Sequence, residues 1–201
     1  AQSITGLEFE PNFSWIKQRN ADRSNGLYDV VRGATNVLLS NSTSVELTSS
    51  QRLSAFNSSG FDVGTDTLTN QSAGSYVAWN WKANGAGVSN TDGSITSTVS
   101  ANQDAGFSIV TYTGTGANAT VGHGLGVAPS MVITKPRNSA DNWISWHTAL
   151  GATGYIYLNL TNASANAAAV WNSTLPSSTV FSIGTSSNIN SSGQTQVAYC
   201  F

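Results

Sequence analysis

The chain has 201 residues and a net charge of −2, and Asp, Glu, Lys and Arg together make up only 9% of it, against about 25% in an average soluble domain. Eight basic side chains cannot gather phosphates along a nucleic acid, and no apolar stretch approaches the roughly 20 residues of a membrane span. Hydrophobic residues at 39% are enough for a packed core and argue against disorder, so the surface is expected to be polar but neutral, built from Ser, Thr, Asn and Gly.

In chain order, short runs rich in Val, Ile, Thr and aromatics alternate with Gly/Asn/Ser clusters, the pattern of β-strands and turns. Strands are predicted at Phe13 to Lys17, Val37 to Leu39, Tyr76 to Trp81, Ile95 to Ser100, Phe107 to Tyr112, Met131 to Thr134, Trp143 to Trp146, Gly154 to Leu158, Val180 to Ile183 and Thr195 to Phe201. Ala163 to Val170 reads equally as one turn of helix or as a loop. No window carries a sustained helical stripe.

An internal repeat runs through these elements. Gly6-Leu7 and Pro11 match Gly124-Leu125 and Pro129, Lys17-x-Arg19-Asn20 matches Lys135-x-Arg137-Asn138, and Gly33-Ala34-Thr35 matches Gly151-Ala152-Thr153, all at an offset of 118. Phe61, Gly64, Thr65 and Asn70 then match Phe181, Gly184, Thr185 and Asn190 at an offset of 120, and Val77-Ala78-Trp79 matches Val197-Ala198-Tyr199. The expected organisation is a first unit at 1–83, a Gly/Asn/Ser linker at 84–92 and a second unit at 93–201. The second unit has two leader strands that the first lacks, which suggests a segment of a longer array. The fold class expected is all-β: an antiparallel β-sandwich, jelly-roll or concanavalin-A-like, with a tandem repeat. The two units form either one merged sandwich or two.

Trp15-Ile16-Lys17-x-Arg19, Leu27-Tyr28-Asp29-x-Val31-Arg32-Gly33, Ser59-Gly60-Phe61-x-x-Gly64, Tyr76-Val77-Ala78-Trp79-x-Trp81, Gly106-Phe107-Ser108-Ile109-Val110-Thr111-Tyr112 and Val121-Gly122-His123-Gly124-Leu125 follow one another along the chain. Together they resemble a repeated concanavalin-A-like or lectin-like β module of tail-fibre and other virion structural proteins from marine phages and cyanophages. The resemblance implies a virion-surface role in host attachment, and it carries no catalytic residues to transfer. The second unit departs from it: Ser145-Trp146-His147 stands where the first has Leu27-Tyr28-Asp29, and no arginine follows.

Chemistry leaves a weak imprint. Glu8 and Glu10 would share one strand face, the only acidic pair suited to glycoside hydrolysis, but solvent-facing edge residues explain them better. His123, flanked by glycines, reads as a turn or packing histidine. One cysteine and two distant histidines make no zinc site, and no complete calcium loop is present. Cys200 lies in an apolar run and reads as a small buried hydrophobe, and with no second cysteine no disulfide forms within the chain. Asp29 and Arg32 read as an ion pair pinning a loop to a strand. Several Asn-x-Ser/Thr sequons are expected from composition alone.

No catalytic residue, metal ligand or cofactor is expected, and the chain is expected not to be an enzyme. Trp143, Trp146 and His147 are the candidate ligand-binding residues, because a sugar's apolar face stacks on an exposed aromatic ring. The expected location is the virion surface, outside the cell. The expected partners are other virion structural chains or copies of itself, as a homo-oligomer such as a trimer, and a host surface glycan. Neither nucleic acid nor membrane insertion is expected. A carbohydrate-binding module of an adhesin is the alternative.

Overall fold

Short β-branched and aromatic runs punctuated by Gly, Asn and Ser leave little for a helix to build on. The computed structural model, which describes residues 1–201, is accordingly mostly antiparallel β-sheet. The elements are β1 (Gln2–Ile4), β2 (Phe13–Gln18), β3 (Gly26–Asp29), β4 (Asn36–Leu39), β5 (Leu47–Thr48), β6 (Leu53–Asn57), β7 (Gly60–Val63), the one-turn helix α1 (Thr67–Asn70) and β8 (Tyr76–Trp81). They continue with β9 (Val88–Asn90), β10 (Ser97–Asn102), β11 (Phe107–Thr113), β12 (Ala119–Gly122), β13 (Met131–Pro136), β14 (Ile144–His147) and β15 (Gly154–Tyr157). The last are β16 (Ala165–Asn166), α2 (Ala168–Trp171), β17 (Val180–Ile183), α3 (Ser187–Asn190) and β18 (Thr195–Cys200).

Two large sheets dominate. One runs β5-β4-β3-β2-β8 and the other β16-β15-β14-β13-β18-β11-β10-β9. The first five strands of the second sheet follow the order of the first sheet, and the second then continues through β11, β10 and β9. Two small sheets, β1-β7-β6 and β12-β17, accompany them.

The period-2 alternation of each strand divides its side chains between two faces, and three cores result. Ile16, Tyr28 and Val37 pack under β6, β7 and α1 with Leu53, Phe61, Val63 and Leu68. Val110, Tyr112, Val132, Ile144, Trp146, Ala198 and Cys200 pack under β12, β17, α2 and α3. Between them Phe13, Leu27 and Leu38 of the first large sheet meet Phe107, Ile109, Ile133, Trp143, Val197 and Tyr199 of the second. The two large sheets therefore lie face to face, and each carries its own small sheet outside.

Most predicted strands form, with ends moved by a residue or two. Ala168–Trp171 makes the single helical turn left open against a loop. The segment 84–92, expected to be a linker, contains β9, whose Val88, Ser89 and Asn90 pair with Val99, Thr98 and Ser97 of β10. An edge strand needs only backbone groups and a partner, so its side chains carry little signal. The β6–β7 hairpin and β3 went unpredicted because they are short and start or turn on Gly, Ser and Asn. At Gly60 in that hairpin, a Cβ would collide with the Ile4 carbonyl, so the close approach of β1 requires glycine.

Candidate functional site

Arg32 sits in the turn after β3, and its guanidinium is fully buried. It is held by Asp29, and it donates to the Leu27 carbonyl at 2.9 Å, to Glu46 Oε2 at 2.8 Å and to the Tyr199 hydroxyl at 3.1 Å. The Tyr199 hydroxyl donates in turn to Asp29 Oδ2 at 2.7 Å. Burial alone would favour loss of the guanidinium proton, but Asp29, Tyr199 and Glu46 outweigh it and hold the group charged. Burial would likewise raise the Glu46 carboxyl, but hydrogen bonds and charge contacts with Arg137 and Arg32 keep it below the ordinary carboxylate range. Arg137 grips Glu46 through two nitrogens, at 3.1 and 2.8 Å.

Asp29, Arg32 and Glu46 belong to the first half of the chain, and Tyr199 and Arg137 to the second. The same boundary is crossed by Trp143 Nε1, which donates to the Leu39 carbonyl at 2.9 Å, and by the buried Lys135 Nζ, which donates to the Thr43 carbonyl at 3.3 Å. Asp29 and Arg32 thus do form the ion pair that pins a loop to a strand, and that pair extends into a clamp between the two large sheets.

A second feature is an open cleft of about 540 Å³ at the far end of the longer sheet. Its polar walls are Asn84, Asn90, Asn102, Gln103, Asp104 and Lys82. The amides are oriented by their own bonds: Asn90 Nδ2 donates to Asp92 at 2.8 Å, Asn102 Nδ2 to the Lys82 carbonyl at 3.3 Å and Gln103 Nε2 to the Gly124 carbonyl at 3.0 Å. Such a surface offers fixed donors and acceptors to a neutral, hydroxyl-rich ligand.

The residues singled out for sugar contact do not gather there. Trp143 is 0% and Trp146 3% exposed. They face opposite sides of the sheet, one into the central core and the other into the core under β12 and β17. Trp146 Nε1 donates to the Gly151 carbonyl at 2.8 Å. Neither ring offers a face to a sugar, so the two tryptophans are core residues. His147 is exposed, but its Nδ1 accepts the Ala149 N–H and caps the turn at Thr148–Leu150.

The exposed tryptophan is Trp79, at 49%, packed edge-on against Trp15 with ring centroids 6.3 Å apart. Its repeat partner Tyr199 is 1% exposed, so the matching positions of the two halves differ in cover. Glu8 and Glu10 are exposed on an irregular segment with Leu7 and Phe9 turned inward. His123 is buried, accepts the Leu125 N–H on Nδ1 and bonds the Ser177 carbonyl through Nε2, as a packing histidine does. Cys200 is buried, and burial pushes its thiol up to about 12, against a smaller opposing influence of the nearby Ser108 hydroxyl. No cluster of three or more His, Cys, Asp or Glu side chains is placed to hold a metal ion.

No curated protein and no solved structure matches the chain. A family match spans residues 1–201, and by it the chain belongs to the family described as a domain of unknown function, DUF7483.

Proposed function

We propose that the chain is a non-enzymatic structural module of a virion surface, in a tail fibre, spike or head decoration, and that it contributes to host attachment. The observation that carries this reading is the clamp of Arg32, Asp29, Glu46, Tyr199 and Arg137. It ties the two large sheets together through buried charge and hydrogen bonds, as suits a strut that transmits load. The neutral, amide-rich surface and the resemblance to phage fibre modules support it. The matching strand orders β5-β4-β3-β2-β8 and β16-β15-β14-β13-β18 support a tandem duplication of one β unit. Light scattering on the intact particle or fibre tests the role: a defined trimer or larger assembly is expected, and a strictly monomeric chain with no virion partner refutes it.

A second reading, a carbohydrate-binding module, is favoured by the cleft at Asn84, Asn90, Asn102 and Gln103 rather than by Trp143 or Trp146. A glycan array probed with multimeric protein should then give hits that Asn102→Ala and Gln103→Ala abolish. An array without hits removes this reading and leaves the structural one standing.

A further inference from the structure

In the longer sheet, β18 is covered on one side by β13 and on the other by β11, with Cys200, Ala198 and Gln196 opposite Ser108, Val110 and Tyr112. In the shorter sheet, β8 occupies the position of β18, and nothing pairs with its outer edge. Arg19 N–H donates to the Ser75 carbonyl on the β2 side. Antiparallel alternation then turns the backbone groups of Tyr76, Ala78 and Asn80 outward. The difference in cover is plain: Val197 and Ala198 are 0% exposed, whereas Val77 and Ala78 are only partly buried.

The other edges of the two large sheets are short. β5 and β16 are two residues long and β9 three. β8 has six residues, Tyr-Val-Ala-Trp-Asn-Trp, with no charge and no proline, the kind of edge that natural proteins avoid leaving bare.

Beside this edge lies an apolar pocket of about 310 Å³, walled by Ile16, Phe61, Val63, Thr69, Tyr76 and Ala78. The corresponding space beneath β18 is filled from β11. There Tyr112 stacks edge-on against Phe181 at 6.1 Å and donates to the Ile189 carbonyl at 2.8 Å. Phe181 and Ile189 stand where the first half has Phe61 and Thr69. Thr69 Oγ1 is buried, with the residue 4% exposed, and has no hydrogen-bond partner.

We infer that the outer edge of β8 is an acceptor for an extended strand supplied from outside residues 1–201. That strand has the chemistry of β11: uncharged and β-branched, with a tyrosine or similar aromatic two residues beyond the branched residue that faces Ala78. It pairs antiparallel with Tyr76, Ala78 and Asn80, lays an apolar side chain over Trp79 and sends its aromatic ring into the Phe61–Thr69 pocket. Backbone bonds supply affinity and the pocket supplies specificity, as in strand addition generally. The inference goes beyond the virion-surface reading and stands whether or not that reading is correct, because it rests on the edge and the pocket alone.

The test uses a fluorescently labelled peptide with the sequence of Gly106–Gly114 and the whole chain. Saturable binding by anisotropy is expected, weakened at least about tenfold when the peptide carries Tyr112→Ser. Ala78→Pro in the protein removes an outward N–H while sparing the β2 ladder, and it should abolish binding. No saturable binding up to about 1 mM overturns the inference, as does equal affinity for the two peptides. Undiminished binding to Ala78→Pro also overturns it, since the peptide would then be replacing β11 elsewhere. Should Ala78→Pro fail to fold, the two-peptide comparison on the unmodified chain still decides. Dimers of the chain alone that Ala78→Pro abolishes would make a second copy the occupant and overturn the choice of donor.

Discussion

Arg32→Met is the perturbation that tests the clamp most directly. Methionine keeps much of the volume and removes the charge. Asp29, 0% exposed, then retains only the Tyr199 hydroxyl at 2.7 Å and the backbone N–H of residue 32 at 2.8 Å as donors. Glu46 keeps both bonds from Arg137, so the damage concentrates on one stranded carboxylate. Breaking a buried pair from one side costs about 3–5 kcal/mol. For a chain of this size each kcal/mol lowers Tm by about 2–4 °C, so a fall of about 6–20 °C is expected in a thermal melt. Replacing both partners, Asp29→Leu with Arg32→Met, leaves no buried charge uncompensated and should recover at least about half of the loss. A single-variant cost below about 1 kcal/mol is the range of exposed ion pairs, and it would refute the claim that this network locks the sheets together. A double variant no better than the single would place the cost in packing instead.

Trp143→Ala should cost about 3–5 kcal/mol in urea unfolding, since the ring is wholly enclosed and its Nε1 bond to Leu39 joins the two halves. Trp79→Ser, at the open edge, should change stability by no more than about 1 kcal/mol in the same assay, because roughly half of the residue is already in water. For His123, burial lowers the imidazole below its ordinary value, against the opposing pull of the Ser177 carbonyl and Asp92. The unfolded chain therefore binds that proton more readily. His123 contributes stability that is fully present above the unfolded value of about 6.5 and is lost as pH falls through the depressed folded one. Urea midpoints should drop on acidification across that window, and His123→Gln should flatten the drop. An unchanged slope in the variant would assign it to other groups.

Much of this architecture was legible in the order of residues. Tyr76–Trp81 and Val180–Ile183 form strands at their predicted bounds because dense β-branched and aromatic runs leave the backbone little alternative. The Asp29–Arg32 pairing was also readable, since a turn brings two opposite charges three residues apart together. Period-2 alternation states that a strand has two faces, but not which of them will be covered, or by what. Trp79 and Tyr199 occupy matching positions on matching strands, yet one lies half in water and the other is buried against Arg32 and Asp29. Trp143 and Trp146 looked available because their counterparts in the first half, Asn25 and Tyr28, differ from them. Only the stacking of one large sheet on the other, and of β17 and α2 on the far side, put both rings in the core. Local composition thus determined where the strands lie. Tertiary packing decided which aromatic residues are core and which edge stays open, because cover comes from segments about 30 to 170 residues away whose approach no local pattern records.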